Sequence, residues 1–130
     1  MSPKKGVVKK TDLSAYSSPR KKGVYTIKID DGDEVIAARH VLDDQQLMLF
    51  THAGMAVRFD QGLVRTVGRV ARGVRGVSLK PGDYVVSCCV VSGSETMLVV
   101  CENGYGKRSN VESFRQTNRG GVGVRSIITS

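Results

Sequence analysis

The sequence predicts an all-β protein built as a propeller-like array of four-stranded antiparallel blades. The first observation is an internal repeat: the segment Gly23–Ile27 returns as Gly73–Val77 and again as Gly123–Ile127, at intervals of 50 residues. A fixed period of this size is typical of repeat architectures, propellers among them. The second observation is that short alternating apolar segments, separated by glycine-containing turns, fill each period, while no helical period stands out.

The repeat divides the chain into the parts of one partial domain over residues 1–130. Two full periods, 23–72 and 73–122, align without a gap. Residues 1–22 match the end of a period, and residues 123–130 match the start of the next one. Because the chain starts and stops in mid-repeat, we expect it to be a piece of a longer array.

Each period is predicted to contain four short strands. The third strand is apolar on both faces, so it needs cover on both sides, which two neighbouring blades supply. Gly32, Gly82 and Gly104 lie in the turns between strands, where glycine permits a positive φ. The predicted ranges are 24–29 and 74–79 for the first strand, 34–41 and 84–91 for the second, 47–51 and 97–101 for the third, and 56–59 and 106–109 for the fourth.

Positive charge alternates in phase with this repeat. The chain has a net charge of +8, but residues 1–28 carry +7, residues 58–75 carry +4 and residues 104–125 carry +4, which leaves −7 for the remainder. If the repeats stack with similar geometry, their basic segments fall on one common rim. Such a surface favours a polyanionic partner.

Catalytic, metal-binding and membrane functions find little support in the residues. Cys88 and Cys89 are adjacent in an apolar run and Cys101 ends another, which is typical of buried reduced thiols in a cytosolic protein. No nucleophile–base pair and no metal-ligand spacing is visible, so we predict no catalytic residue and no metal site. No apolar run approaches the roughly 18 residues of a membrane span, and no secretion signal follows the basic start.

Three stretches resemble a known family. Asn103–Arg108, Gly73–Leu79 and Met55–Phe59 are similar to blades of the C-terminal domain of the DNA gyrase A protein, and the related domain of topoisomerase IV is the nearest relative. The resemblance covers almost the whole chain, and it combines the period, the turns and the basic connections.

The resemblance implies a β-pinwheel, a propeller-like partial ring in which neighbouring blades exchange strands. It implies that the chain binds, bends and wraps duplex DNA, and so supports ATP-dependent negative supercoiling by a type IIA topoisomerase. The implied partners are duplex DNA, the remainder of the gyrase A protein and the ATPase of the gyrase B protein, in the bacterial cytoplasm at the nucleoid. No cofactor is expected here, because ATP and magnesium are used elsewhere in the holoenzyme.

The candidate DNA contacts are the cations of the basic segments. A guanidinium group binds phosphate in a bidentate manner, and neighbouring glycines let backbone N–H groups approach as well. Arg75 is a weaker candidate, since it shares a strand face with positions that are apolar in the preceding repeat. The candidates are Lys9, Lys10, Arg20, Lys21, Lys22, Arg58, Arg65, Arg69, Arg72, Lys107, Arg108, Arg115, Arg119 and Arg125.

One segment resembles the signature box of gyrase A, Gln-Arg-Arg-Gly-Gly-Lys-Gly, which the family needs for wrapping. Residues 116–123 keep the glutamine, one arginine, the glycine pair and the last glycine, but have one extra residue before the pair and Val122 at the lysine position. We interpret the segment as a degenerate copy of the box. Its retained members are Gln116, Arg119, Gly120, Gly121 and Gly123.

A second hypothesis is a propeller-like protein–protein scaffold whose basic rim binds an acidic partner. It predicts weak binding to DNA and a defined protein complex. Under either hypothesis an incomplete array has unpaired edge strands, which favour pairing with another copy. We therefore predict a dimer or swapped oligomer of this chain.

Overall fold

The computed structural model describes residues 1–128, and the chain is all-β, as predicted. Ten short strands form within this range, together with three short 3-10 turns and no α-helix. The strands are β1 (Ser2–Pro3), β2 (Val7–Val8), β3 (Val35–Ala37), β4 (Gln46–Thr51), β5 (Met55–Asp60), β6 (Val74–Arg75), β7 (Val85–Val91), β8 (Thr96–Val100), β9 (Gly106–Asn110) and β10 (Val124–Arg125), and the 3-10 turns are Leu13–Tyr16, Gln61–Leu63 and Val111–Ser113.

The central blade is a four-stranded antiparallel sheet with the order β10-β5-β4-β7. Its middle is the β4–β5 hairpin, in which Leu49 lies opposite Val57. The outer strands come from later in the chain: β7 pairs with β4, and β10 pairs with β5. The blade therefore contains strands from three successive sequence repeats, which is the strand exchange expected of a β-pinwheel.

The first blade follows the same plan. The β1–β3 and β2–β6 pairs are joined because the backbone N–H of Lys9 donates to Met1 O at 2.9 Å. Val74 on β6 lies opposite Val8 as Val124 on β10 lies opposite Ala56, so the two outer strands repeat the same register. The third blade consists of the β8–β9 hairpin.

The first predicted strand, 24–29, does not form. A first strand pairs with the fourth strand of the hairpin two repeats back, and residues 1–128 contain no such hairpin for this segment. The prediction was also too long for 74–79, where pairing is confined to β6, and for 34–41, where it is confined to β3. The third-strand and fourth-strand predictions agree with β4, β5, β8 and β9 to within two residues.

Two apolar clusters cover the two faces of the central hairpin. One face turns Leu49, Val57 and Phe59 toward the first blade. The other turns Met48 and Phe50 toward the third blade, where the ring of Phe50 meets that of Phe114 edge to face at 6.1 Å between centroids. The predicted double-sided burial of the third strand is therefore confirmed for β4.

Arg58 joins the central blade to the third blade. Its side chain is buried, at 9% exposure, and its Nε and Nη2 donate to Gln46 Oε1 at 2.9 and 2.6 Å. Its Nη1 donates to the carbonyl oxygens of Val111 and Phe114 at 3.3 and 3.0 Å. Arg58 was expected on the DNA-binding surface, but its cationic group is used inside the protein, between two blades.

Gly73 and Gly123 allow the returning strands to approach the older hairpins. Gly73 has φ +101° and Gly123 has φ +89°. A Cβ atom on Gly73 would overlap the carbonyl oxygen of Val8, and one on Gly123 would overlap that of Ala56. Gly23, one repeat earlier, has φ +81° but no atom within 4 Å of such a Cβ, because its strand has no partner.

Asp83 fixes the turn of the neighbouring β4–β5 hairpin. Its Oδ1 accepts the N–H groups of Ala53 and Tyr84, each at 2.9 Å, and Asp33 does the same in the first blade with the N–H of Lys5 at 3.0 Å. Burial of Asp83 opposes ionisation, but these hydrogen bonds and that of Thr51 hold the pKa of Asp83 below its ordinary value.

We expect Gly73→Ala to destabilise the fold more than Gly23→Ala. Both changes place a Cβ at positive φ, which costs about 1–2 kcal/mol, but only Gly73 also loses the close approach to Val8. The added overlap should cost about 1–3 kcal/mol more. Urea unfolding of the two variants measures the difference, and equal losses would contradict the pairing described for β6.

We expect Arg58→Met to lower the free energy of unfolding by about 1–3 kcal/mol, because the buried carbonyl oxygens of Val111 and Phe114 lose their donor. The matched control is Arg65→Met, an exposed arginine whose replacement should change stability by no more than about 0.5 kcal/mol. Chemical denaturation of both variants provides the comparison. If Arg58→Met leaves the free energy of unfolding unchanged, this side chain does not join the blades.

The lowered pKa of Asp83 predicts a pH dependence. A carboxylate whose pKa is lower in the folded state stabilises the fold above its unfolded pKa, and this contribution is lost as the pH falls through the folded pKa. Thermal unfolding followed from pH 6 downward should show a smaller loss of stability in Asp83→Asn than in the unaltered chain. If the stability of both proteins changes identically with pH, the Asp83 carboxylate does not stabilise the turn.

Candidate nucleic-acid interface

Three basic connections leave the 3-10 turns and lead to the following first strand. They are residues 17–22, 65–72 and 115–122, and we call them the basic connections. Each of the last two begins beside a fourth strand, since Val67 N–H donates to Lys10 O at 2.9 Å and Thr117 N–H donates to Arg58 O at 2.8 Å. The repeat therefore gives both connections the same starting geometry.

The ends of these connections lie against earlier first-strand segments. Lys28 N–H donates to Ala71 O at 3.2 Å, and one repeat later Ser78 N–H donates to Gly121 O at 2.9 Å. Gly120 N–H also donates to Gly76 O at 2.7 Å. Because backbone bonds hold both ends of residues 65–72 and 115–122, these two basic connections have a defined course along the array rather than that of free loops.

The degenerate box occupies the third connection, and its arginine reaches back across the array. Arg119 Nε donates to Leu63 O at 3.0 Å, and its Nη1 donates to Arg75 O at 3.1 Å. The side chain remains exposed while these bonds fix its position. Gln116 is exposed at the start of the connection, Gly120 and Gly121 make the backbone contacts described above, and Gly123 leads into β10.

Most of the candidate cations are exposed. Arg72 forms an ion pair with Asp30 at 2.6 Å, and the remaining ion pair among residues 1–128 joins Lys4 to Glu34. The other candidates are thus without a carboxylate partner in the described part of the chain. The exposed candidates are Arg20, Lys21, Lys22, Arg65, Arg72, Lys107, Arg108, Arg115, Arg119 and Arg125, and Lys10 and Arg69 are half-buried.

Lys9 was also expected on the outside, but the structure buries it at 4% exposure. Its Nζ donates to the carbonyl oxygens of Thr26 and Arg69, and burial lowers the pKa of Lys9. Lys10 Nζ donates to Gln61 O and Oε1 at 3.2 and 2.6 Å, much as Arg58 donates to the next 3-10 turn. Lys10 and Arg58, at equivalent positions of the repeat, thus each hold the 3-10 turn of the following blade.

Arg108 occupies the same repeat position on the third blade. It is exposed, and its Nε donates to Thr96 Oγ1 at 3.1 Å, which matches the bond of Arg58 Nε to Gln46 across the preceding hairpin. Arg108 therefore lies on a blade face and not on a basic connection. Lys107 on β9 and Arg125 on β10 are likewise exposed candidates that lie on strands and outside the basic connections.

Two further cations lie at the basic connections: Arg75, the weaker candidate, and Lys28, which the sequence analysis did not single out. Arg75 is exposed, and its carbonyl oxygen accepts a hydrogen bond from Arg119. Lys28 is exposed beside Ala71. The repeat already indicated an interface position for Arg75, because its counterpart Arg125 was among the candidate DNA contacts.

The buried thiol of Cys88 is unreactive, and the described residues form no metal cluster beside these cations. Burial raises the pKa of the Cys88 thiol to about 11, so the group is protonated at neutral pH. Among residues 1–128 no three His, Cys, Asp or Glu side chains converge as metal ligands. No helix within the described range is long and apolar enough to cross a membrane. The surface chemistry that the basic connections offer is that of exposed cations.

The chain is similar in sequence to known proteins. A family model described as DNA gyrase C-terminal domain, beta-propeller, matches residues 4–41, 45–92 and 96–129. The DNA gyrase A protein of Chlamydia muridarum is 64% identical over 127 residues, which cover 96% of this chain and 15% of that protein. The gyrase A protein of Pseudomonas aeruginosa is 39% identical over 125 residues, which cover 96% of this chain and 14% of that protein.

Solved structures give the same result. The C-terminal domain of DNA topoisomerase IV superposes with a TM-score of 0.90 at 33% identity, over 95% of this chain and 39% of that one. The gyrase A C-terminal domain superposes with a TM-score of 0.83, also at 33% identity, over 94% of this chain and 40% of that one. The chain spans a small part of its curated relatives and less than half of these domains. It belongs to the family of DNA gyrase A C-terminal domains.

Proposed function

We propose that this chain binds duplex DNA along its basic connections and bends it, as part of the wrapping domain of a gyrase A protein. The observation that carries the proposal is the fixed course of the connections 65–72 and 115–122, which present exposed arginines without carboxylate partners, Arg72 excepted. Phosphate recognition needs cations in register along a surface, and base-specific side chains are unnecessary for it.

Bending has an energetic requirement that this surface can meet. Curving 20–30 base pairs by 40–90° costs about 1–6 kcal/mol, and contacts to phosphates along the curve must offset it. Successive basic connections supply such contacts at repeated intervals along the array. Weak sequence preference and strong salt dependence should follow.

For the whole protein we propose the role that its relatives' names and the resemblance suggest. The chain would act together with the remainder of the gyrase A protein and the ATPase of the gyrase B protein in ATP-dependent negative supercoiling at the bacterial nucleoid. ATP and magnesium would be used by those other parts, with no cofactor bound here. Pairing of this chain with a second copy through its unpaired strand edges stays a prediction.

The competing hypothesis is the protein–protein scaffold, in which the same cations bind an acidic protein. The two hypotheses differ in their preferred ligand. The scaffold predicts that duplex DNA binds weakly and no better than single-stranded DNA, whereas wrapping predicts that the duplex is preferred across a salt series.

We expect Arg65→Gln with Arg119→Gln to weaken duplex binding at least about tenfold and to reduce the slope of log affinity against log salt by about 1.8, because two phosphate contacts are removed. The charge-matched control is Arg39→Gln with Lys80→Gln, exposed cations outside the basic connections. Fluorescence anisotropy with a duplex of about 30 base pairs, at several salt concentrations, measures both quantities. Equal effects of the two double variants would show that net charge, and not this surface, determines binding.

A further inference from the structure

The third basic connection is bonded to the repeat that precedes it. Gly120 N–H donates to Gly76 O at 2.7 Å, and Ser78 N–H donates to Gly121 O at 2.9 Å. The hydroxyl group of Ser78 also donates to Gly120 O at 2.5 Å. We call these bonds, together with the two that the side chain of Arg119 donates, the latch.

Arg119 bridges two elements that come before it in the chain. Its Nε donates to the carbonyl oxygen of Leu63 in the second 3-10 turn, and its Nη1 donates to that of Arg75 in β6. Within the described residues its Nη2 has no hydrogen-bond partner, and the side chain is exposed. The guanidinium group can therefore position the connection and still contact a phosphate oxygen.

Gly76 joins the latch to the first blade. Its N–H donates to Gly6 O at 2.8 Å, while its carbonyl oxygen accepts the N–H of Gly120. A Cβ atom on Gly76 would lie 2.7 Å from Val8 Cγ1 and 2.8 Å from Leu49 Cδ1, so this backbone passes tightly between two hairpins. The third connection is therefore held at a fixed place relative to the first blade.

The second connection bonds to the same part of the first blade. Val67 N–H donates to Lys10 O, four residues after the Gly6 carbonyl oxygen that accepts from Gly76. Both connections are thus tied to residues 6–10, one directly and the other through Gly76. Their separation is set by backbone hydrogen bonds and not by the reach of flexible loops.

The second connection has a latch of different chemistry at the same repeat positions. Lys9 Nζ donates to the carbonyl oxygens of Thr26 and Arg69, which lie 50 residues before positions 76 and 119. Val70 occupies the position of Gly120, whose φ of +85° a β-branched residue avoids. The lysine side chain therefore supplies the contact that the backbone of Gly120 makes one repeat later, so the array holds both connections at this point.

We propose that Arg119 and Ser78 are positioning residues for DNA bending. By fixing the third connection relative to the second, the latch determines the curvature of the duplex that contacts both. Connections that move independently would bind a straight duplex as well as a curved one, because a straight duplex avoids the cost of deformation. This inference rests on the function proposed above and assigns the bend angle to the latch, whereas the affinity comes from charge.

The test separates the latch from the charge. In the 130-residue chain, Ser78→Ala removes one bond of the latch without a change in charge, and Arg119→Gln removes two bonds and one charge. Ser113→Ala is the control for the first variant, because Ser113 Oγ donates to Asn110 O within a single turn. Arg65→Gln is the control for the second, since Arg65 is an exposed cation on a basic connection and lies outside the latch.

Energy transfer between dyes at the two ends of a duplex of about 30 base pairs reports its bend. We expect S78A and, more strongly, R119Q to lower the transfer efficiency of the bound duplex, and S113A and R65Q to leave it unchanged. The slope of log affinity against log salt should fall by about 0.9 in both R119Q and R65Q and stay unchanged in S78A. A transfer efficiency that neither latch variant lowers below its control would overturn the proposal.

Hydrogen exchange without DNA tests the latch itself. The amides of Gly120 and Ser78 should exchange faster in R119Q than in R65Q, and faster in S78A than in S113A, because local opening becomes easier. Unchanged exchange in both latch variants would overturn the proposal without reference to DNA. Failure of the proposed function would appear separately, as a duplex that the unaltered chain does not bind, with the exchange result intact.

Discussion

The structure depends on the backbone pairing of each returning strand with a hairpin formed earlier in the chain. In the central blade β7 pairs with β4 and β10 pairs with β5, and in the first blade β6 pairs with β2. The outer strands of both blades therefore come from later repeats. An unpaired strand edge exposes backbone N–H and C=O groups that can pair with another strand. Here later segments of the same chain supply that strand. Gly73 and Gly123 follow from this requirement, because the approach to Val8 and Ala56 leaves no space for a Cβ atom.

The architecture could be predicted because the repeated residues impose local constraints on backbone conformation and burial. Glycine at positive φ, apolar segments of strand length and basic connections recur together, and the fold class and family inferred from them are confirmed. The first strand at 24–29 could not be judged in this way, because whether a segment pairs depends on a partner elsewhere. Its composition matches that of a strand, but the described residues contain no hairpin for it.

The candidate interface was predictable in outline and not residue by residue. Charged side chains are mostly exposed in folded proteins. Lys9 and Arg58 are nevertheless buried and donate to carbonyl oxygens. What distinguishes them is position in the blade: Arg58 lies on β5 and Lys9 directly follows β2, whereas Arg65 and Arg119 lie on the connections. For Arg58 the repeat contained that information, since Lys10 occupies the equivalent position and also contacts the next 3-10 turn. Lys9 has Val57 and Lys107 as counterparts, and the repeat did not mark it as buried.

This division of positions explains how one repeat can serve both stability and binding. Hairpin faces such as Met48 and Leu49 pack blade against blade, so stability arises from contacts between neighbours. The connections contribute little to those apolar clusters and are free to carry charge. Adding a repeat therefore lengthens the basic surface and extends the core by the same unit.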